Sequence, residues 1–164
     1  MRPIELKIKG INSYREEQVI NFSQLTSQGF FGIFGPTGSG KSTILDAITL
    51  ALYAKLPRGS KNFINITESS ASVSFRFSIT TTETKEYLVE RSFRYPGKDR
   101  TSTARNTTAR LSLLSETDID VLADKPTDVT RSCTDLLGLS SDDFLRTVVL
   151  PQGQFSDFLK LKTQ

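Results

Sequence analysis

The chain has no histidine and a single cysteine, Cys133, among its 164 residues. The first absence removes the commonest general base and the commonest metal ligand, so any metal has to be held by hydroxyl, amide, carboxylate or phosphate oxygens. One thiol allows neither a disulfide within the chain nor a cysteine-built zinc site. Long apolar runs are also missing. Nothing approaches the roughly 20 residues of a membrane span, and the N-terminus alternates polar and apolar residues where a signal peptide would carry an apolar block. A cytoplasmic location is the expectation. Neither sign of charge dominates: 21 Lys and Arg against 18 Asp and Glu leave +3, which permits a polyanionic partner without requiring one.

What is present describes a folded body. At 37% hydrophobic and 24% charged residues, neither disorder nor a fibrous repeat is indicated, and the length suits one domain with a real core. Ile4, Leu6 and Ile8 alternate with Glu5, Lys7 and Lys9, the period of a half-buried strand, and Asn12-Ser13 supply turn chemistry after it. A second strand is expected over Gln18 to Phe22. The short run Phe30-Phe31-Gly32-Ile33-Phe34 reads as a buried strand delivering the chain into Gly35. From Ser42 to Ala54, Ile44, Leu45, Ile48, Ala51 and Leu52 recur at helical spacing, and Pro57 stops the pattern.

Val73, Phe75, Phe77 and Ile79, then Tyr87, Val89, Arg91 and Phe93, predict an antiparallel hairpin across a Thr-rich turn. Leu111, Leu113 and Leu114 suggest a further strand. Between Tyr95 and Thr108, Gly, Lys, Arg, Ser and Thr without apolar period predict a positively charged loop. Thr127 is the expected cap of a helix carrying Val129, Cys133, Leu136 and Leu137 and ended by Gly138; Ser140 or Ser141 caps the next. Val148-Val149-Leu150 leads into Pro151-Gln152-Gly153, and Phe155, Phe158, Leu159 and Leu161 look like the start of another helix.

The chemistry concentrates in Gly35-Pro36-Thr37-Gly38-Ser39-Gly40-Lys41-Ser42, which fits G-x-x-x-x-G-K-[ST]. Glycines in this pattern let the backbone wrap closely around phosphates and aim N–H groups at them. Lys41 is expected to reach the β- and γ-phosphates of a nucleoside triphosphate, ATP above all. Ser42 should bind magnesium through its hydroxyl, Thr43 should back up the phosphate contacts, and the dipole of the following helix adds attraction. A plain glycine turn between strand and helix is the bland alternative, and the flanking patterns argue against it. Hydrolysis also needs a carboxylate after an apolar strand to hold magnesium. Asp118 with Asp120, and Asp142 with Asp143, are the candidates, and both pairs read more simply as helix caps and solvated acids. The catalytic half is therefore expected to lie outside this sequence.

The N-terminal strand with Asn12-Ser13, the segment GPTGSGKSTILDAITLALY and the segment VVLPQGQF together resemble the N-terminal ATPase segment of the SbcC family. Members of that family are the SMC-like subunits of a bacterial double-strand-break repair nuclease. The resemblance implies an α/β P-loop fold of the ABC-ATPase type with an antiparallel β part. It makes residues 1–164 the N-terminal lobe of an SMC-like head, with the P-loop at 35–43 and a Q-loop around 152, cut where a long coiled coil begins. It also implies ATP-driven dimerisation of heads, a C-terminal lobe as partner, the SbcD nuclease and double-stranded DNA.

By the same resemblance, the Gln152 oxygen contacts magnesium and the attacking water, Gln154 being the weaker match. Asn12 and Ser13 fall where relatives bring the first turn near ribose and base. Relatives of the archaeal and eukaryotic branch often carry arginine at the place of Asn12; Arg15 could substitute, though a solvent-facing side chain is the plainer reading. Lys98, Arg100, Arg105 and Arg110 are candidates for DNA phosphates, with a solvated loop as the plainer reading. Three rivals stand beside this reading: the nucleotide-binding domain of an ABC transporter, a self-contained P-loop NTPase or kinase, and a binding module that keeps nucleotide affinity without activity and serves mainly as a docking surface.

Overall fold

The computed structural model describes residues 1–25, 32–56, 62–97, 100 and 102–147. Its frame is one six-stranded sheet in the order β2-β1-β3-β4-β5-β6, every neighbouring pair antiparallel. The strands are β1 (Arg2–Lys9), β2 (Gln18–Asn21), β3 (Ser70–Thr80), β4 (Thr84–Arg94), β5 (Arg105–Leu114) and β6 (Ile119–Ala123). The helices are α1 (Phe22–Leu25), α2 (Lys41–Tyr53), α3 (Pro126–Leu137) and α4 (Ser141–Thr147). An α/β fold with a glycine loop ahead of α2 and an antiparallel β part matches the sequence expectation.

Period-2 patterning decides which face is inside. Leu6 and Ile8, Val73, Phe75 and Phe77, and Tyr87, Val89 and Phe93 point to one side and are buried there. They meet across strands as Leu6 with Phe75, Phe75 with Val89 and Phe77 with Tyr87. The rings of Phe75, Phe77 and Tyr87 stack in a row at centroid distances of 5.3 and 5.6 Å. Onto this face α2 lays Ile44, Ala47, Leu50, Ala51 and Leu52, and α3 and α4 add Val129, Cys133 and Phe144. Burial at about 25 cal/mol per Å2 of apolar surface is what holds a helix without strong propensity of its own in place. Leu45, placed on the apolar stripe by spacing, is instead 42% exposed.

Several boundaries differ from the sequence expectation. β5 begins at Arg105, inside the stretch read as loop, because its backbone pairs with β4 from Arg94 to Glu86 irrespective of side-chain polarity. β6 was missed: Ile119 and Val121 are exposed, so the strand exists through its ladder with β5 and not through a buried face. α3 is capped by Lys125 and starts with Pro126, whose fixed φ and absent N–H suit the first helical position, so Thr127 lies within the first turn. Gly138 ends α3 at φ +64° as expected. Ser140 caps α4: its Oγ accepts from the Asp143 N–H at 3.2 Å and donates to the Asp143 carboxylate at 2.6 Å. Asp142 pairs with Lys55, so both acids behave as first-turn helix residues.

The expected strand over 30–34 is the largest departure. Phe30 and Phe31 lie outside the described residues, as do Pro57, Lys98 and everything from Val148 onward, Gln152 and Gln154 included. Residues 32–36 form no strand, and Phe34 is 93% exposed. A strand needs a hydrogen-bonding neighbour, and among the described residues none pairs with this segment. No helix of the described residues is long and apolar enough to cross a membrane.

Candidate phosphate-binding site

The glycine loop sits at the N-terminus of α2, and its backbone explains its composition. Gly38 and Gly40 adopt φ of +85° and +90°, a region that L side chains rarely occupy. Gly40 is constrained twice, since a Cβ there would also lie 2.8 Å from the Tyr14 ring. Gly40 serves as the α2 N-cap without any side-chain cap, and the first helical turn carries no acid. The leading N–H groups of a helix have no partner within it, so this end offers donors and a positive dipole without an opposing charge.

Lys41 curls back over the loop: its ammonium donates to the carbonyls of Gly35 and Pro36, each at 2.7 Å, and to Ser39 Oγ at 3.5 Å. An ammonium has three donors and can exchange one of these bonds for a phosphate oxygen while the others keep it over the loop. Pro36, Thr37 and Ser39 are exposed along the loop; the Ser39 N–H closes a turn on the Pro36 carbonyl at 3.3 Å. Ser42 is exposed on the first turn, whereas Thr43 is buried and its N–H donates to the Gly40 carbonyl at 2.9 Å.

The turn after β1 is folded against this loop through three consecutive residues. Asn12 Nδ2 donates to Thr43 Oγ1 at 3.4 Å, Ser13 Oγ to the Gly38 carbonyl at 3.0 Å and the Tyr14 hydroxyl to the Gly40 carbonyl at 3.4 Å. Asn12 and Ser13, far from the loop in sequence, are thus brought beside it. Tyr14 was missed by sequence reasoning, and no local signal marks it. Next to Asn12 and Ser13 lies a cavity of about 430 Å3, lined further by Asn62, Ile64, Asn65, Ile66, Tyr95 and Arg100.

Other candidates fall elsewhere. Arg15 is exposed and pairs with Glu68 at 3.0 Å. Arg100 is half-buried and donates to backbone carbonyls of the 64–68 segment, so much of its guanidinium is engaged within the fold. Arg105 and Arg110 are exposed on β5, and around Arg110 the open face of the sheet mixes Lys7, Lys9 and Arg76 with Glu5, Glu17 and Glu90. Asp118 and Asp120 sit in the β5–β6 turn and on β6, away from the loop. Among the described residues no group of three or more Cys, Asp or Glu is placed to hold a metal ion. Ser42 therefore offers a single oxygen, which suits a magnesium ion held mostly by phosphates and water.

A glycine loop of this geometry opening a buried helix defines the class of P-loop nucleotide-binding proteins. A family model described as an AAA domain matches residues 5–164, and the chain belongs to that family. It is 52% identical over 162 residues to the SbcC subunit of nuclease SbcCD from Clostridium acetobutylicum, covering 99% of this chain and 14% of that protein. It is 50% identical over 166 residues to the SbcC subunit of nuclease SbcCD from Bacillus subtilis, with the same coverage. A probable DNA double-strand break repair Rad50 ATPase of Aquifex aeolicus is 34% identical over 165 residues, covering 98% of this chain and 15% of that protein. The resemblance to the SbcC family is thus borne out, and the chain spans about a seventh of the length of these curated relatives.

Proposed function

We propose that this chain is the N-terminal lobe of an SMC-like ATPase head, which binds ATP and magnesium, dimerises on ATP and controls double-strand-break processing by a partner nuclease of the SbcD kind. The observation that carries the reading is the loop from Gly35 to Thr43, with its uncapped helix end, its curled-back Lys41 and the Asn12-Ser13-Tyr14 turn fixed against it. In this reading Lys41 reaches the β- and γ-phosphates, and the backbone N–H groups of Gly38, Ser39 and Gly40 line them. The cavity beside Asn12 and Ser13 receives ribose and base. Ser42 and Gln152 would hold magnesium, which when bound would supply positive charge against that developing on the transferred phosphoryl group.

In this reading the lobe supplies ligands, and the attacking-water base comes from the C-terminal lobe. A C-terminal lobe completes the fold; the exposed Phe34 side chain, in a segment that pairs with no strand among the described residues, supports a place for it. Hydrolysis would then separate the heads and open the way for DNA to the nuclease, in the cytoplasm and on the nucleoid.

The test mixes this chain with the C-terminal ATPase segment of its parent protein and follows magnesium-dependent ATP hydrolysis with and without linear DNA. Activity confined to the mixture, responsive to DNA and abolished by Lys41→Ala is expected. Equal hydrolysis by the chain alone would sink the half-site reading and point to a self-contained P-loop enzyme.

A further inference from the structure

Asn12 sits at φ +47°, a left-handed conformation that asparagine tolerates better than other non-glycine residues, and contacts on both sides of its backbone hold it there. The fixing comes from the 62–68 segment. The Asn12 N–H donates to the Phe63 carbonyl at 2.7 Å, Asn65 Nδ2 donates to the Asn12 carbonyl at 2.6 Å, and the Asn65 N–H donates to the Gly10 carbonyl at 2.8 Å. Ile11 and Ile64 form an isolated bridge between the same segments. Apart from that bridge, residues 62–68 belong to no strand or helix: a turn closed by the Glu68 N–H on the Asn65 carbonyl at 3.0 Å and by Asn65 Oδ1 accepting from the Thr67 N–H at 3.0 Å shapes them locally, and contacts from outside fix where that turn sits.

Arg100 supplies those contacts. Its guanidinium donates to the carbonyls of Ile64 at 3.4 Å, Asn65 at 2.9 Å and Glu68 at 2.5 Å, and lies 5.5 Å from the Tyr95 ring centroid. A planar fork with five donors can grip several carbonyls of one turn at once, and the aromatic face compensates part of the water it gives up. We propose that Arg100 is a positioning residue for the nucleotide site: by gripping the 64–68 turn it holds Asn12 in its left-handed conformation and so seats the Asn12-Ser13-Tyr14 turn on the phosphate loop. The inference rests on the nucleotide reading above. It gives the segment between β4 and β5 a line to that site, 31 residues of sequence separating Asn12 from Thr43 at its far end.

Calorimetric titration of the chain with Mg-ATP tests it, using the unsubstituted chain, Lys41→Ala, Arg100→Ala, Arg100→Lys, Asn65→Ala and the Arg100→Ala/Asn65→Ala pair. Arg100→Ala is expected to weaken binding about tenfold, within the range of site-to-site coupling. Arg100→Lys should recover part of the loss, and the double variant should bind no worse than the weaker single one, because both act through one turn. Far-ultraviolet circular dichroism checks folding; if Arg100→Ala melts below the assay temperature, Arg100→Lys and Asn65→Ala carry the same comparison. A lowered melting temperature with unchanged affinity, or losses that simply add, would overturn the proposal and leave the nucleotide reading standing. If the unsubstituted chain and Lys41→Ala both fail to bind Mg-ATP, the nucleotide reading falls and the proposal falls with it.

Discussion

Arg91 is only 2% exposed, and it is a cation in the middle of an apolar row. From β4 it donates to the carbonyls of Ala51 at 2.6 Å and Leu52 at 3.1 Å, to that of Pro126 at 3.3 Å and to Thr130 Oγ1 at 3.0 Å. The first two belong to the last turn of α2, where carbonyls lack helical partners and a positive charge meets the negative end of the dipole. Burial pulls the guanidinium down to about 10, still far above neutral pH, so the charge persists at a desolvation cost. Replacing Arg91 with Met keeps much of the apolar stem but leaves those two carbonyls buried without donors. At about 1–3 kcal/mol for each of the two orphaned groups, the loss should come to about 2–6 kcal/mol. Thr130 adds nothing to this sum because its hydroxyl still donates to the Pro126 carbonyl at 3.0 Å. For a chain of this length a loss of that size lowers the melting temperature by roughly 10 °C. Urea unfolding followed by circular dichroism measures it directly. A loss under about 1 kcal/mol would refute the idea that Arg91 is needed to satisfy the α2 terminus.

Three further predictions concern other residues. Gly40→Ala should unseat the loop, through its +90° backbone and the Tyr14 ring 2.8 Å from the new Cβ, and weaken Mg-ATP binding at least tenfold with a stability loss of about 1–2 kcal/mol; equal affinity would contradict the geometry. Cys133 is pushed up to about 11 by burial, with the nearby Arg91 charge working against the shift, so thiol reagents at pH 8 should label it only as fast as the chain unfolds. Because its folded value lies above the ordinary 9.0, the unfolded chain releases this proton first between pH 9 and 11, and stability should fall as pH rises through that window. Tyr53, raised to about 12 mainly by burial, extends the fall upward. A urea midpoint at pH 10.5 equal to or above that at pH 8 would count against both.

Local patterns carried much of the fold into view. The α2 stripe, the β3–β4 hairpin and the Gly138 stop all come from neighbours a few residues apart, where period and cap chemistry are written directly in the chain. What stayed hidden depends on partners distant in sequence. β6 has an exposed face and exists through the free edge of β5, and Thr127 lost the cap to Lys125 because Pro126 takes the first helical position. Arg91 was in phase with Tyr87, Val89 and Phe93, so its inward position was legible in the alternation, but its helix-end partners 39 and 40 residues away were not. In the site, the loop announced itself by its glycines and Lys41. Tyr14 and Arg100 did not, because a tyrosine in a turn and an arginine in a polar stretch have no distinguishing spacing.

The contacts of α2 also set an order in time. Its first turn meets Asn12, made 31 residues before Thr43, whereas the Tyr53 hydroxyl at its far end donates to the Leu139 carbonyl, made 86 residues after it. At the roughly 5–20 residues per second of protein synthesis, the Tyr53 end of α2 waits about 4–17 s for Leu139, although β1, β3 and β4, the strands that α2 packs on, are made earlier. The phosphate loop and the β1 turn are made first, and the 62–68 segment and Arg100 that fix Asn12 follow, so the turn is seated only when they are in place. A growing chain that ends before α3 already holds the strands that α2 packs on, while the side of α2 that meets α3 and α4 is still open to chaperones and to neighbouring nascent chains.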